Sequence, residues 1–482
     1  VASGATYDVD ATDTVLSIEG AGTIDLTNAA LTAGDGNDQT FSGVFNGANI
    51  FTKVGDGVLT LSGNNSSASY SGKLVIDAGT ISVAADTNLG AAPGSAVADQ
   101  LTLSGGTLQT TASFTLNTNR GITLSTDGGG INTNTSTTLT YGGVIDGTTA
   151  FTKSGDGILL LSGANTYTGD TIISAGTLQL GAAAVIANAS AVTVNGTFDL
   201  NDYNETISDL SGSGTVDLGS ATLTTIQYNS TTYSGGITGT GALKKYGGGV
   251  LTLSGSTDFT GGITIQVGTL QLGANNVIAD TNPITFADTD IFIHKATLDL
   301  NDYSDTVGTV TANYTDAKIL LGSGGLTINQ ANSADTSFKG IISETGTFTK
   351  SGAGALTLTN SNTYTGLTTI TAGTLTLDQA GTTTTGQVIK DTNAVTVNGG
   401  TLALADDTET VGALTLTDGS LTGTGNTIVG TSYTLNTGDG DSFTASAILG
   451  GSANLTKSEA GTTVLSGANT YTGTTTVSGG TL

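Results

Sequence analysis

The chain has 482 residues, of which 39 are acidic and 12 basic, and its formal net charge is −27. It contains 73 glycines and two prolines, it lacks cysteine, methionine and tryptophan, and 5% of its residues are aromatic. This composition excludes a disulfide framework and a thiolate metal site, and its few scattered basic residues argue against binding to nucleic acid or anionic lipid. The apolar fraction of 37% is typical of a narrow core filled by small aliphatic side chains.

The N-terminal region carries no basic start and no long apolar run, so the sequence indicates neither a signal peptide nor a membrane span. Residues 1–26 align with residues 194–218, which predicts that the chain opens inside a repeat block. The closing Gly-Thr-Leu at residues 480–482 predicts that it ends inside another block. We therefore expect both ends to lie within a longer array.

One segment recurs along the chain. Its first residue is apolar, its second is Thr or Lys, and its third is Lys. Its clearest copy, FTKSGDGILLLSGANTYTGDTIISAGTLQL, occupies residues 151–180. The five repeat blocks begin near residues 51, 151, 243, 348 and 455. From the second copy onward, an aromatic residue and the Leu of Gly-Thr-Leu follow the lysine at constant spacings, as Tyr167 and Leu178 follow Lys153. A block of about 100 residues is too long for one supersecondary unit, which predicts a shorter period inside it.

That shorter period is about 19 residues. Short alternations of Val, Ile, Leu and Thr, broken by Gly, Asn, Asp or Ser, predict strands without helices. We expect an all-β parallel β-helix (β-solenoid) of about 25 coils of about 19 residues, in blocks of about five coils, that runs through residues 1–482 as one continuous solenoid. One inward-facing stack is predicted to contain Leu161, Leu180, Leu200, Leu218 and Leu253.

The pattern G-x-G-x-L-x-L-S-G-x-N-T-Y-T-G-x-T-x-x-x-x-G-T-L, read from Gly155 to Leu178, resembles the autotransporter-associated β-strand repeat of large secreted bacterial passenger proteins. The resemblance covers about a third of the chain, in five places. It implies a right-handed parallel β-helix that is extracellular, at the cell surface, and attached to the outer membrane through regions outside this chain. It brings no catalytic residues with it.

These features predict a structural and adhesive stalk, an autotransporter-like passenger segment whose partner is a host or surface glycan or protein. One alternative is a subunit of a self-assembling extracellular filament or sheath, in which copies associate end to end or laterally. The other is a β-helix enzyme that degrades polysaccharides. His294 is the one histidine, and it lies near Asp288 and Asp290 in an insertion that breaks the period. Because the other blocks contain nothing similar, we do not expect an enzyme or a cofactor.

Acidic turns are the candidates for a metal site. Calcium prefers six or more oxygen ligands, which two aspartates and several turn carbonyls would supply. The candidate ligands are Asp35, Asp38, Asp288, Asp290, Asp439 and Asp441. Their spacing differs from place to place, so solvated turn carboxylates are the alternative, and we expect folding to depend little on calcium.

The repeated lysines and aromatic residues have structural interpretations. The lysine of each copy is expected on the exposed face of a coil, where it would offset the acidic field; these are Lys53, Lys153, Lys245, Lys350 and Lys457. The tyrosines of Asn-Thr-Tyr-Thr-Gly are expected to cover a turn and pack on a neighbouring coil rather than form a row of exposed rings. They are Tyr167, Tyr364 and Tyr471.

Overall fold

The computed structural model describes residues 1–66, 70–287, 295–331, 335–378, 387–405 and 408–482. Its strands are short, they pair in parallel, and their side chains alternate between core and solvent. In Ile158–Leu161, for example, Leu159 and Leu161 are buried while the residues before each of them are half-exposed. The described residues contain one helical turn, the 3₁₀ segment Asp86–Leu89. The prediction of an all-β parallel solenoid is therefore confirmed.

The coils differ in length. Leu161 pairs with Leu180, whereas Leu270 pairs with Leu298, so the second of these coils is clearly the longer. Loops of different size between the strands account for this variation, because the paired strands keep a common register while the connections lengthen. The described strands consequently make about 21 turns, slightly fewer than predicted.

The chain divides into two compact units, which are described separately below. The first consists of Val1–Ile226 and Tyr233–Gly241, and the second of Gln227–Thr232 and Ala242–Leu482. One continuous solenoid through residues 1–482 stays a prediction.

Parallel ladders, in which each strand pairs with the strand one coil later, build the first unit. Its strands, grouped by ladder, are Thr6–Asp8, Thr23–Leu26 and Val44–Gly47; Asp13–Val15, Leu31–Ala33, Phe51–Lys53, Leu74–Ile76, Val97–Leu103, Arg120–Leu124 and Ile145–Gly147; Gln39–Phe41, Val58–Leu61, Thr80–Val83, Thr107–Thr110, Gly129–Thr133, Phe151–Ser154, Thr171–Ile173, Val192–Val194, Leu210–Gly212 and Tyr233 of Thr231–Tyr233; Phe114–Leu116, Thr138–Tyr141, Ile158–Leu161, Thr177–Leu180, Thr197–Asp199, Thr215–Asp217 and Gly236–Thr238; and Glu205–Ile207 and Thr222–Ile226.

The second unit is built in the same way, and two long strands in it each take part in two ladders. Its strands are Val250–Leu253, Gly268–Leu272, Ala296–Asp299, Lys318–Leu320 and Ile341–Ser343; Ala242–Tyr246, Ile263–Ile265, Ile284–Phe286, Asp305–Val307, Val310–Ala312, Gly325–Asn329, Thr336–Phe338, Thr347–Ser351, Ala355–Leu358, Thr368–Ile370, Thr374–Leu377, Val395–Leu404, Ala413–Thr422, Ser432–Leu435, Ser442–Ala445, Leu455–Lys457, Thr462–Leu465 and Thr475–Val477; and Thr408–Thr410, Thr427–Val429 and Ile448–Gly450.

The predicted leucine stack is present in the first unit. Its fully buried members there are Leu161, Leu180, Leu200 and Leu218. Leu253 is also buried, but the prediction is wrong for it, because its strand Val250–Leu253 belongs to a different sheet from the strand Ile158–Leu161 that carries Leu161. The stack therefore holds for four of the five leucines.

The first and second repeat copies lie in different ladders, whereas the fourth and fifth share one, because five successive pairings lead from Lys350 to Lys457. Four coils lead by direct pairing from Lys53 through Ile76, Leu103 and Leu124 to Gly147. Lys153 lies beyond Gly147, in the next strand of that coil and hence in the next ladder. The chain between the two lysines thus does not make a whole number of coils.

Candidate functional site

The lysine of each repeat copy points into the core. Lys153 has no exposed surface, and the prediction that the repeat lysines are exposed is wrong for Lys53, Lys153, Lys245, Lys350 and Lys457. The physical reason is the strand alternation. Residues two apart lie on the same face of a strand, so Lys153 shares the inward face of Phe151, and Thr152 between them faces outward.

Each buried ammonium is held by backbone carbonyl groups. Lys153 Nζ donates hydrogen bonds to the carbonyl oxygens of Ser154 at 2.8 Å, Gly155 at 2.7 Å and Ala175 at 3.1 Å. Three acceptors match the three N–H donors of an ammonium group. The third acceptor lies one coil later, so the lysine joins two coils. Lys53, Lys245 and Lys350 repeat this three-carbonyl arrangement.

The glycine that follows the lysine by two residues gives the turn its shape. Gly155 has φ +70°, and a Cβ there would lie 2.3 Å from the carbonyl oxygen of Thr133. Glycine adopts this left-handed conformation without steric cost. In the last copy Glu459 takes this place, and its carbonyl oxygen still accepts a hydrogen bond from Lys457.

Burial of these lysines lowers their pKa. Desolvation lowers the pKa of Lys153 and of Lys350 to about 8 and also lowers that of Lys53, where the nearby carboxylates of Asp35 and Asp56 oppose the effect. A pKa of about 8 still leaves the ammonium form dominant at pH 7. The charged group therefore supplies all three of its donors under neutral conditions.

The asparagine of Asn-Thr-Tyr-Thr-Gly connects three coils. Asn165 Oδ1 accepts a hydrogen bond from the backbone N–H of Ile145 at 2.8 Å, and its Nδ2 donates to the carbonyl oxygen of Val185 at 2.9 Å. Asn65, Asn362 and Asn469 accept a backbone N–H from an earlier coil in the same way. The sequence interpretation missed this role, although an Asn at a fixed place in four of the five copies was its signal.

The tyrosines of the motif are core residues. Tyr167 and Tyr364 have no exposed surface, and the hydroxyl of Tyr167 lies 2.6 Å from Thr171 Oγ1. The Tyr167 ring centroid is 5.9 Å from that of Phe151. The expectation that the rings pack rather than form an exposed row is confirmed for these two, and Tyr471 is half-buried.

Three buried carboxylates also accept hydrogen bonds from backbone N–H groups of another coil. Glu205 Oε2 accepts hydrogen bonds from the N–H groups of Val185 at 2.8 Å and Ile186 at 3.2 Å. Asp305 and Glu409 do the same for the Val-Ile pairs at 277–278 and 388–389. Desolvation raises the pKa of Glu205, and it raises that of Asp305 to about 6. The sequence interpretation overlooked these carboxylates, because their partners lie a whole coil away along the chain.

The one arginine is also internal. Arg120 has no exposed surface, and its Nε lies 2.9 Å from Asp86 Oδ1. Its guanidinium group also donates to the carbonyl oxygen of Gly90 at 2.6 Å. Arg120 thus fixes the 3₁₀ turn Asp86–Leu89 to a later coil.

Two of the described calcium candidates, Asp35 and Asp38, accept hydrogen bonds from backbone groups of the protein itself. Asp35 Oδ1 accepts the N–H of Asn37 at 2.8 Å, which helps to lower the pKa of Asp35, and Asp38 Oδ1 accepts the N–H of Val58 at 2.9 Å. Asp439 and Asp441 lie in a turn closed by a hydrogen bond from Asp441 N to the carbonyl oxygen of Gly438.

The remaining members of the predicted metal and catalytic sets, Asp288, Asp290 and His294, lie outside the described residues. Among the residues that are described, no group of three or more His, Cys, Asp or Glu is placed to hold a metal ion. Calcium binding stays a prediction.

Comparison with known proteins connects the internal pattern to a family. The passenger-associated-transport-repeat model matches residues 51–83, 151–180, 243–272, 348–377 and 455–482, which are the five copies that carry the buried lysines. The adhesin BmaC autotransporter of Brucella suis biovar 1 (strain 1330) is 33% identical over 477 residues. The chain carries the passenger-type repeat. The aligned residues make up 93% of this chain and 13% of that adhesin. No solved structure matches.

The passenger-type repeat thus uses its characteristic polar side chains inside the fold. Lys153, Asn165 and Tyr167 all bond to groups within the solenoid. No helix in the described ranges is both long and apolar enough to cross a membrane.

Proposed function

We propose that this chain is a stiff, non-enzymatic passenger segment of an adhesin. In this proposal it lies outside the cell, is attached to the outer membrane through regions outside these 482 residues, and presents its outward faces to a glycan or protein. The observation that carries the proposal is the internal use of the repeat's Lys, Asn and Tyr, since Lys and Asn join coils and Tyr bonds within the core, and none of them forms a cleft.

The physical basis of stiffness is the number of bonds that each coil makes with the next. Parallel strands pair through backbone hydrogen bonds at a spacing of about 4.8 Å. Lys153 adds a bond to a carbonyl group one coil later, and Asn165 adds bonds to an earlier and a later coil. A coil that is bonded on both sides resists bending and local opening, which suits a protein that holds a binding surface away from the cell.

Several observations support a binding role rather than catalysis. The buried carboxylates Glu205 and Asp305 accept backbone N–H groups, and the calcium candidates Asp35 and Asp38 do the same at the surface. The relative from Brucella suis is named an adhesin. The net charge of −27 disfavours acidic partners and favours neutral or basic ones.

The test is an in-frame deletion of this segment from its parent protein, with surface display measured by an antibody against a retained region. We expect display to persist and adherence to host cells or to an immobilised surface to fall, and we expect the purified chain to compete for adherence. Unchanged adherence at equal display would contradict the adhesive role. Release of reducing sugar ends from polysaccharides by the purified chain would contradict the non-enzymatic role.

Association of copies end to end or laterally is a further part of the proposal. Repulsion between chains of net charge −27 opposes it, and salt screens this repulsion beyond about 8 Å at physiological ionic strength. We therefore expect light scattering to show larger species as salt is raised. A constant monomer mass at high salt and high concentration would exclude self-association.

A further inference from the structure

One outward column of side chains in the second unit is threonine in strand after strand. Each of nine threonines in the described strands pairs directly with the next member one coil later. The threonine ladder consists of Thr306, Thr327, Thr349, Thr369, Thr396, Thr415, Thr434, Thr456 and Thr476. All nine are half-exposed or exposed.

Strand geometry fixes the direction and spacing of these side chains. In Thr347–Ser351, Phe348 and Lys350 are buried, so Thr349 between them faces outward. β-Branched threonine suits an extended strand and has few rotamers there. Nine strands at a spacing of about 4.8 Å place a row of hydroxyl and methyl groups along about 38 Å.

The face around the threonine ladder is uncharged except for Asp418 at one margin. The residues two before and two after each ladder threonine belong to the same outward surface, and they are Gly, Ala, Ser, Thr, Asn and one Leu. Asp418 lies at one margin, where it pairs with Asn398 across a register shift. In a chain of net charge −27, a neutral surface about 13 Å wide and about 38 Å long favours a neutral partner.

We propose that the threonine ladder binds a neutral, extended polysaccharide laid along it. This inference rests on the proposed adhesive function and names the surface and its ligand class. A hydroxyl group both donates and accepts hydrogen bonds, as sugar hydroxyls do, and the threonine methyl groups contact the apolar C–H faces of sugar rings. An extended β-1,4-linked chain advances by nearly one strand spacing per ring, so successive rings meet successive threonines. Many weak contacts on one chain then add to a useful affinity.

A second copy of the chain fits this surface less well. A face of about 38 by 13 Å covers about 500 Å², so two copies would bury about 1,000 Å² in total, less than the roughly 1,200 Å² or more of a typical specific interface. Two chains of net charge −27 would also repel each other as they approach. A neutral polysaccharide is not repelled by the acidic chain, and it does not need the area of a protein–protein interface.

The experiment measures cosedimentation of the full chain with microcrystalline cellulose and with chitin, which are neutral and extended. Gel-shift electrophoresis with dextran, which is neutral and flexible, and with alginate, which is extended but anionic, supplies the comparison. The test variant carries Thr349→Val, Thr369→Val and Thr396→Val, which remove hydroxyl groups while β-branching is kept. The matched control carries Thr357→Val, Thr376→Val and Thr422→Val, which lie half-exposed on other strand segments of the same unit. Circular dichroism checks that both variants fold.

We expect the wild-type chain and the control to bind cellulose or chitin, the test variant to bind at least tenfold more weakly, and alginate and dextran to bind little. Equal binding by test variant and control would overturn the assignment to the ladder while the adhesive function stands. Preferential binding to alginate, or salt-induced dimers that the test variant alone abolishes, would overturn the ligand class. Binding of the wild-type chain to none of these polysaccharides would overturn this inference, and the adherence assay above would decide the adhesive function separately.

Discussion

Replacement of Asn165 by alanine tests the internal bonding of the repeat. The variant leaves the N–H of Ile145 without its acceptor, and Ile145 is fully buried, so water does not replace the lost partner. An unsatisfied buried donor costs about 1–3 kcal/mol. The carbonyl of Val185 loses the bond from Nδ2 but keeps one from Asn165 N at 3.2 Å, so that loss is about 0.5–1.5 kcal/mol. Asn165→Ala should therefore lower the local free energy of unfolding by about 2–4 kcal/mol.

Hydrogen exchange with mass spectrometry is the suitable assay, because coils of a solenoid open locally as well as globally. A loss of about 3 kcal/mol corresponds to exchange roughly 100-fold faster at the peptide that contains Ile145. Asn195 lies exposed in a turn of the same unit, and Asn195→Ala serves as the control, with an expected change within about 0.5 kcal/mol. Asn165→Thr should lose less than Asn165→Ala, because Thr257 in the third copy already donates to the carbonyl oxygen of Val277 at 2.8 Å.

The reasoning would be refuted by an Asn165→Ala chain whose exchange at Ile145 matches that of the Asn195→Ala control. Such a result would mean that water or a backbone shift satisfies the N–H of Ile145. Equal acceleration at distant peptides of the first unit would instead contradict the local character of the loss.

Three further predictions concern charge. The pKa of Lys350 is about 8 in the fold, below its value in an unfolded chain, so the unfolding free energy should rise as pH rises from about 8 to 9.5. In urea titrations, Lys350→Met should make this rise of the unfolding free energy with pH smaller. An unchanged pH dependence would contradict the buried position of the amine. The pKa of Asp305 is raised to about 6, so its stabilising contribution is present below about pH 4 and is lost as pH rises through 6. The chain should therefore gain stability as pH falls from 7 to 5. Asp305→Asn, which keeps an acceptor for Val277 and Ile278, should reduce that gain. If the wild-type chain and the variant lost stability equally between pH 7 and pH 5, the raised pKa of Asp305 would be contradicted. Chelation by EDTA should leave the melting temperature nearly unchanged, whereas specific calcium sites filled at 100 times their Kd would contribute about 2.7 kcal/mol each and their removal would show as a clear drop.

The sequence predicts the fold well because the same strand and turn pattern recurs in every coil. Short Val, Ile, Leu and Thr alternations, glycine turns and steps of similar length are enough to predict parallel coils, and the pairing of Leu161 with Leu180 follows from them. Loop length is less predictable, because a parallel solenoid keeps its register when a connection grows outward. The step from Leu270 to Leu298 is longer than the step from Leu161 to Leu180 although both pairs are in register, and such long steps lower the number of coils.

The interior of the repeat is harder to predict from sequence, since charge suggests exposure while strand alternation suggests burial. At Lys153 the alternation decides, because three carbonyl oxygens compensate the cost of burying an ammonium group. Glu205 meets its partners at Val185 and Ile186 only after the chain has completed a coil, so no local motif marks it. The threonine ladder was missed for a similar reason, since its steps are unequal and the one from Thr369 to Thr396 is much longer than the next.

The offset between Lys53 and Lys153 has a consequence for how such proteins change length. Recombination between the two copies would remove residues 53–152 and join Thr52 to Lys153 within an intact motif. The inward residues would still match, because both ladders bury the same Phe-Thr-Lys pattern. The coils after the new junction would, however, be shifted by one ladder around the solenoid relative to the coils before it. Gain or loss of this block would therefore leave the core intact and shift the exposed surface by one ladder, so a lineage could redirect a binding face without inventing a new one. The block between Lys350 and Lys457 would have no such effect, because these two lysines share a ladder.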